Sequence, residues 1–452
     1  MTWLYDSFVG NGNEPPSVPQ TRQLKEARVA TACEDDKEPS PVLTVAGVGV
    51  GVGAGAGAVV STQPYKVSEL AHANLSWKSL QQMPLASFAS NATLSIVTPV
   101  QSFVRYCILG TSFISGVMVE AIRRSKDGEI YCVCGRTAGT LAAFAEKYQI
   151  PVTYSDYSLM LQDPLVEVVY IGLPTALHAD WVIRCAQAGK HILNEKAFAL
   201  TALDTRRALQ VVEEQGVFCM EAQMFRCHPI LSRLATLVHS ELPMGAVLSV
   251  QATFTADIIN LFNRKAGGSI LDLGCYPMSL LRFLFGEPIA ITATASLVAP
   301  EKDGDNVFDS ATTADIEMAS GLRAVIHTAN NKAHNWEFHI MCEHGKISLS
   351  DLWREDVADT ITMTSSGGRR GEDGVHTPAT GTISADTCTV NVITVTPPQN
   401  FYTLQIETVN RHVRNSDVQA SSPAMSWDDS INNMAALDMW RQAIKLRYPG
   451  YE

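Results

Sequence analysis

Short apolar runs alternate with amphipathic segments between about residue 104 and residue 220. The apolar runs have the length of buried strands, and they cover residues 105–109, 130–134, 166–171, 191–194 and 217–220. The segments between them repeat apolar residues at helical spacing, and they cover residues 116–124, 141–148, 176–188 and 203–215. Gly189 and Gly216 follow two of these segments, where glycine favours the end of a helix. The alternation predicts a doubly wound parallel sheet.

The pattern changes after Arg226. Longer, half-polar segments predict strands with one solvated face, and they cover residues 246–255, 289–297, 312–318, 323–328, 336–342 and 346–349. Helical spacing returns over residues 269–285 and again from residue 427 to about residue 445. We therefore expect an α/β domain over residues 101–226 and an α+β domain with an open, mostly antiparallel sheet over residues 227–452.

Two segments differ in composition from these domains. Residues 1–100 are rich in glycine, proline and charged residues, and we expect them to form a low-complexity, disordered extension. The Val/Gly/Ala run at 42–60 is apolar, but its glycines favour a linker over a membrane span. Residues 364–387 are rich in glycine, serine and threonine, which predicts a flexible insertion.

Composition excludes several classes of function. The 452 residues are 46% hydrophobic and 18% charged, as in globular proteins. A net charge of -12 argues against nucleic acid or an anionic membrane as the main partner. The ten cysteines include no C-x-x-C pair, which disfavours a metal site. The first residues lack the basic and apolar regions of a signal peptide, so we expect a cytoplasmic protein with reduced thiols.

The turn after the first strand is a candidate nucleotide site. A strand-to-helix turn offers free backbone N–H groups and the positive end of a helix to a pyrophosphate. Its residues here are Gly110, Thr111, Ser112, Phe113 and Ile114. Serine stands where the G-x-G-x-x-G pattern has its second glycine, so the turn alone does not distinguish a cofactor site from an ordinary tight turn. The sheet pattern that follows favours the cofactor site.

The end of the second strand indicates which dinucleotide would bind. An NAD site has Asp or Glu here to hold the ribose diol, whereas this chain has Arg136 and Thr137. Both can bind a 2′-phosphate, which favours NADP over NAD; alternatively, Arg136 is only a solvated arginine. Leu173 and Pro174 lie at a later strand end and could touch the nicotinamide ribose. His178 could join them or simply begin the next helix.

Lys196, Asp272 and Tyr276 are the candidate catalytic residues. Glu195 and Lys196 follow an apolar strand at the carboxyl edge of the sheet, where open α/β folds bind ligands. Asp272 and Tyr276 are four apart and share one face of a helix. We expect Lys196 to lose its proton more easily next to NADP, and Tyr276 to ionise more easily beside Lys196. Alternatively, Glu195 and Lys196 form a surface ion pair, Asp272 complements the dipole of its helix, and Tyr276 is a core residue.

These motifs together resemble the glucose–fructose oxidoreductase/inositol dehydrogenase (Gfo/Idh/MocA) family. The family's strand-then-E-K-P segment resembles residues 194–197, and its G-G-x-x-x-D-x-G-x-H/Y segment resembles residues 267–276. Tyrosine at position 276 is similar to the branch that contains dimeric trans-dihydrodiol dehydrogenase and NADP-dependent D-xylose dehydrogenase. The resemblance covers about residues 104–350. Two departures are Ala197, where the family has proline, and Ser112, where it has glycine.

The resemblance implies a Rossmann domain, a second domain that often mediates dimerisation, and hydride exchange between NADP and a sugar or cyclic diol. Tyr276 would be the acid/base, with Lys196 and Asp272 assisting. From its place where the two domains should meet, Arg226 is a candidate cofactor-binding residue that could line the substrate cleft or simply bridge the domains. We therefore expect a homodimeric, NADP-dependent oxidoreductase of small molecules. A tailoring reductase of secondary metabolism and a cofactor-sensing regulator without turnover remain alternatives.

Overall fold

The computed structural model describes residues 103–259, 267–299, 307–353, 358–365 and 388–447. The extension expected over residues 1–100 lies outside the described residues. So does the expected insertion at 364–387, except for Thr364 and Ser365, which complete a strand. In the part of the chain that the structure describes, no helix combines the length and the apolar character needed to cross a bilayer.

The first sheet has six strands, all parallel, in the order β3-β2-β1-β4-β5-β6. In chain order they are β1 Val104–Leu109, β2 Gly128–Cys134, β3 Val152–Tyr154, β4 Val168–Ile171, β5 His191–Glu195 and β6 Cys219–Ala222. The central strands β1 and β4 are almost wholly buried, as expected for a sheet covered on both faces. The predicted doubly wound sheet is therefore confirmed.

Helices connect these strands: α1 Phe113–Arg124, α2 Ala138–Lys147, α3 Tyr157–Gln162, α4 His178–Gln187 and α5 Ala202–Gln215. Local chemistry sets several ends. Ser112 and Thr201 cap the N-termini of α1 and α5 with side-chain oxygens. Gly216 ends α5 in the left-handed conformation, with φ of 63°. The helix predicted at 176–188 starts differently, because a 3₁₀ turn at Thr175–Leu177 precedes α4.

The second sheet has eight strands in the order β14-β13-β12-β11-β7-β10-β9-β8. They are β7 Val247–Asp257, β8 Pro288–Val298, β9 Phe308–Met318, β10 Arg323–Ala329, β11 Asn331–Cys342, β12 Gly345–Leu349, β13 Thr360–Ser365 and β14 Val390–Thr394. Only the β7–β10 pairing is parallel among these strands. The predicted mostly antiparallel sheet is therefore confirmed.

Four further α-helices follow in the rest of the described chain: α6 Ile230–Thr236, α7 Cys275–Phe285, α8 Phe401–Arg414 and α9 Trp427–Ala443. A π-helical turn at Ile270–Gly274 leads into α7, so the helix predicted at 269–285 is not regular. The helix α8 was not predicted. It packs on α1 of the first sheet, and the Tyr106 hydroxyl donates to Asn410 Oδ1 at 2.7 Å.

Candidate active site

The carboxyl end of β5 and the start of α7 bring the predicted catalytic residues together. Lys196 directly follows β5, and the peptide bond between Lys196 and Ala197 is cis. Lys196 Nζ donates to the main-chain oxygen of Asp272 at 2.7 Å and forms a short ion pair with Asp272 Oδ1. The same nitrogen lies 5.2 Å from the centre of the Tyr276 ring. Residues 76 positions apart in sequence therefore form one cluster.

The ion pair changes the expected protonation of Lys196. Burial lowers its pKa, but surrounding acidic groups, led by the Asp272 carboxylate, outweigh burial and raise the pKa above its ordinary value. The expectation that Lys196 loses its proton more easily is therefore wrong for the protein as it stands. A charged ammonium has three N–H donors. Two of them point to Asp272, and the third does not.

Tyr276 lies in an aromatic cluster. Its ring centre is 5.0 Å from Trp353, 5.5 Å from Phe254 and 6.0 Å from Phe225. Burial raises the pKa of Tyr276 well above its usual value, and neighbouring acidic groups add to the effect. The sequence predicted easier ionisation, which is wrong because burial shifts the pKa of Tyr276 in the opposite direction. The phenol is held protonated, in the form that donates a proton.

A buried acid anchors the segment that carries Asp272 and Tyr276. Asp309 on β9 accepts from the Ser269 hydroxyl at 2.7 Å and from the Ile270 amide at 2.8 Å. A Cβ on Gly268 would stand 1.9 Å from Asp309 Oδ1, so this position needs glycine. Burial raises the pKa of Asp309 to about 6. Asp309 was not predicted from the sequence, since an isolated acid in a half-polar strand carries no motif.

The turn after β1 can accept a dinucleotide. Gly110 has φ of +110°, and a Cβ there would stand 2.7 Å from the main-chain oxygen of Gly172. Ser112 caps α1 by accepting from the Ser115 amide at 3.3 Å. The first-turn amides of a helix have no partner within the helix and point along its axis. Ser112 therefore caps the helix at the position where the G-x-G-x-x-G pattern has its second glycine. The remaining first-turn amides still suit a pyrophosphate.

The other predicted cofactor residues differ in their exposure. Arg136 and Thr137 are exposed at the end of β2, and Thr137 makes no side-chain cap at α2. Leu173 and Pro174 are half-buried after β4. All four residues lie at the carboxyl end of the first sheet, which is the edge where such folds bind ligands.

Two predicted cofactor residues, Glu195 and His178, face the protein interior. The Glu195 carboxylate accepts from the Tyr170 hydroxyl at 2.8 Å and from the Lys196 amide at 3.2 Å. Burial raises the pKa of Glu195, partly offset by Lys196 and Tyr170. His178 is buried, and both ring nitrogens contact main-chain oxygens. Both side chains therefore contribute to the site through their contacts with neighbouring protein groups.

Arg226 is also an interior residue. Its side chain is fully buried, with Nε donating to the main-chain oxygen of Pro423 at 2.6 Å and Nη1 to Ser279 Oγ at 2.8 Å. Nη2 lies 3.4 Å from Asp429 Oδ2. These interior contacts favour the bridging role of Arg226 over a place in the substrate cleft or contact with a cofactor.

Replacing Arg226 with methionine is expected to destabilise the protein by about 3 kcal/mol, because it removes one partner of a buried ion pair. The dissociation constant of the folded variant for NADPH should stay within about twofold of the wild-type value. Loss of a hydrogen bond to the cofactor would change it by more than that. Denaturant unfolding and fluorescence titration measure the two quantities. Arg233→Met is the control, since Arg233 forms an exposed pair with Glu241. Weaker NADPH binding at unchanged stability would show instead that Arg226 contacts the cofactor.

Known protein families match most of the described chain. Residues 104–223 match the model described as the oxidoreductase family with an NAD-binding Rossmann fold, GFO_IDH_MocA. Residues 239–348 match the model of the GFO/IDH/MocA C-terminal domain. The first match covers the parallel sheet, and the second covers much of the antiparallel sheet.

Individual proteins show the same likeness. The chain is 29% identical over 338 residues to D-xylose 1-dehydrogenase (NADP(+)) 2 of Haloferax volcanii, covering 73% of this chain and 94% of that protein. It is 31% identical over 189 residues to trans-1,2-dihydrobenzene-1,2-diol dehydrogenase of Sus scrofa, covering 40% and 56%. A 3-ketoreductase from Actinomadura kijaniata, solved with NADP and TDP-benzene, shares the fold. Its TM-score is 0.63 at 20% identity, covering 76% of this chain and 98% of that one.

Proposed function

The chain belongs to the Gfo/Idh/MocA family of oxidoreductases, and from this premise we propose that it is an NADP-dependent dehydrogenase or reductase acting on CH–OH groups. Its substrate would be a sugar or a cyclic diol, with the corresponding carbonyl compound as product. The observation that carries the proposal is the cluster of Lys196, Asp272 and Tyr276 beside the carboxyl edge of the parallel sheet. D-xylose and dihydrodiol dehydrogenases among its relatives support the substrate class.

The residues of this chain divide the chemistry among them. The nicotinamide, when bound at the turn that begins with Gly110, supplies or accepts the hydride. In reduction, the protonated Tyr276 phenol donates its proton to the carbonyl oxygen of the substrate. The third N–H of Lys196 stabilises the negative charge that develops on that oxygen. Asp272 holds the ammonium in place and keeps it charged. Oxidation would be the reverse, with Tyr276 in its ionised form accepting the hydroxyl proton of the substrate.

The proposal is tested by cofactor binding followed by turnover. The purified full chain is titrated with NADPH and NADH by fluorescence, and then offered aldoses, cyclic diols and carbonyl compounds. Reaction is followed by the absorbance of the reduced nicotinamide. Tight NADPH binding with turnover on a sugar or cyclic diol supports the proposal. Binding without turnover favours the cofactor-sensing regulator, and absence of binding of either cofactor refutes both.

Arg136 is the residue that we propose selects NADP. Replacing Arg136 with alanine should raise the dissociation constant for NADPH roughly 10- to 100-fold, the value of a charge-assisted hydrogen bond to a phosphate. NADH lacks the 2′-phosphate, so its binding should change little. Fluorescence titration measures both. Arg207→Ala on α5 is the control, because its exposed side chain pairs with Asp204. Equal losses for the two cofactors would show that Arg136 does not recognise the phosphate.

We also propose a cytoplasmic homodimer built through the second sheet, with residues 101–226 as the cofactor domain and residues 227–452 as the substrate domain. Apolar side chains are exposed on the strands of that sheet, among them Leu248, Ile289, Leu297, Val390 and Val392. They lie on β7 and on the two edge strands β8 and β14, and an interface with a second copy would remove such exposed apolar side chains from water. Light scattering of the purified chain decides between monomer and dimer.

A further inference from the structure

Glu221 is a buried acid that the proposed reaction does not use. It lies on β6, and only 1% of its surface is exposed. Oε1 accepts from Gln223 Nε2 at 3.2 Å, whereas the other carboxyl oxygen, Oε2, is buried without a hydrogen-bond partner. A buried acceptor that lacks a donor costs free energy, so Oε2 requires one.

Asn194 presents a second acceptor of this kind on the neighbouring strand. It is fully buried on β5, and Nδ2 donates to the main-chain oxygen of Phe198 at 2.8 Å. A carbonyl oxygen cannot donate, so this bond fixes the orientation of the amide and leaves Oδ1 as the atom without a partner. The main-chain segment that this bond closes contains Lys196.

The sheet register brings the two side chains together. Asn194 and Glu221 are paired positions on the parallel strands β5 and β6, so their side chains leave the same face of the sheet. Both also lie beside Phe198, Asn194 at its carbonyl oxygen and Glu221 at its N–H group. Two acceptors on neighbouring side chains repel each other, whereas a proton on one of them turns the contact into a hydrogen bond.

The surroundings of Glu221 favour that proton, because burial raises the pKa of its carboxyl group to about 7. Three groups partly offset burial: the Ser430 hydroxyl, the Gln223 amide and the Phe198 N–H. Arg226 also lowers the pKa of Glu221, but its own charge is paired with Asp429. The nearby thiols of Cys219 on β6 and Cys275 on α7 are uncharged, because burial raises their pKa.

We propose that Glu221 is a positioning residue that carries a proton on Oε2 and donates a hydrogen bond to Asn194 Oδ1, which fixes the segment that contains Lys196. It acts through Asn194 rather than by contact with substrate or cofactor, and its effect on turnover rests on the proposed function above. Loss of the proton leaves a carboxylate facing Asn194 Oδ1, which displaces Asn194 and the Lys196 segment. Fast turnover therefore has an upper pH limit set by Glu221.

Glu221→Gln mimics the protonated acid, because its amide nitrogen can occupy the Oε2 position and donate to Asn194 at every pH. In the wild type the folded state binds the proton more tightly than the unfolded chain. Its contribution to stability is therefore present at low pH and lost as the pH rises through about 7. In urea unfolding, the ratio of the wild-type unfolding constant to that of Glu221→Gln should rise about tenfold per pH unit from about pH 5 to about pH 7, and then level off.

Glu213→Gln is the matched control for the unfolding measurement. Glu213 is exposed on α5, so its carboxyl group meets water in the folded protein as it does in the unfolded chain. The ratio of the wild-type unfolding constant to that of Glu213→Gln should show no such rise.

Kinetics give a second measurement. Wild-type kcat should fall about tenfold or more between about pH 6 and about pH 8.5, as expected for a displaced catalytic group. Glu221→Gln should stay within about threefold of the wild-type value at the lower pH across the whole range, and Glu213→Gln should follow the wild type. Lys196 and Tyr276 do not cause the fall, because the pKa of each is raised above its ordinary value.

Hydrogen–deuterium exchange of the wild-type chain requires neither turnover nor a variant. Once corrected for the intrinsic pH dependence of exchange, amides of residues 196–200 should be less protected at about pH 8.5 than at about pH 6. Amides of β1, on the far side of β4 from this segment, should be equally protected at both.

The outcomes distinguish this role from the proposed function. If the wild-type chain has no turnover, the proposed function fails, while unfolding and exchange still show whether Glu221 carries the proton. A ratio of unfolding constants that does not change with pH means that Glu221 is charged in the folded protein, and the proposal is overturned. An equal fall of kcat in the wild type and Glu221→Gln overturns it as well. Unchanged protection of residues 196–200 does so even if Glu221→Gln fails to fold.

Discussion

Replacing Tyr276 with phenylalanine is expected to lower kcat by a factor of about 10² to 10⁴, the usual contribution of a positioned acid or base. Only the hydroxyl is removed, and the ring keeps its contacts with Phe225, Phe254 and Trp353. NADPH affinity and thermal stability should therefore change little. Steady-state kinetics on the substrate found by the panel, with fluorescence titration of NADPH, measures the effect.

The control for this variant is a tyrosine that likewise loses only its hydroxyl but lies outside the cluster. Tyr131 donates to Asp163 Oδ2 at 2.8 Å near the edge of the first sheet, so Tyr131→Phe should keep its full rate. The pH dependence of the wild-type reduction rate can also be predicted. Because burial raises the pKa of Tyr276, the wild-type phenol stays protonated through neutral pH, and reduction should not lose rate there through its ionisation. Turnover retained in Tyr276→Phe would remove Tyr276 from the mechanism.

The sheets and the cluster differ in how well the sequence predicted them. The strand–helix alternation between Val104 and Ala222 predicted the parallel sheet, because five of its six strands contain or border a short apolar run. The three-residue β3 was too short to show any period. The helix α8 was missed because buried polar residues, such as Thr403, Gln405 and Asn410, interrupt its apolar face. The hydrogen-bond partner of Asn410 is Tyr106, which lies 304 positions away in sequence, where periodicity carries no information.

For the site, motif order predicted which residues meet, but not their electrostatics. The sequence indicated Lys196, Asp272 and Tyr276 as a group, and they are in contact or near contact. It also suggested a lysine and a tyrosine that lose protons easily. The structure gives the opposite directions, because the ion pair and the burial that decide them depend on tertiary packing. Arg226 shows the same limit, since a fully buried guanidinium cannot be recognised from its neighbours in sequence.

Replacing Lys196 with methionine is expected to lower kcat by a factor of about 10² to 10³, which is the cost of removing one donor to a developing oxyanion. Methionine keeps much of the length of the side chain but has no N–H group, and it leaves the Asp272 carboxylate without its cation. The measurement is kcat and KM on the panel substrate, with Lys147→Met as the control because Lys147 is exposed on α2. The fall should appear mainly in kcat.

A second variant at the same pair separates charge from position. Asp272→Asn keeps an oxygen facing Lys196 Nζ, and the main-chain oxygen of residue 272 still accepts from it. The variant removes the charge that raises the pKa of Lys196, so burial then lowers that pKa. Activity that needs the ammonium should therefore be lost at a lower pH than in the wild type. If the pH profiles coincide and Lys196→Met retains its rate, the pair is structural, and the proton donor and its charge partner must be sought elsewhere on the sheet edge.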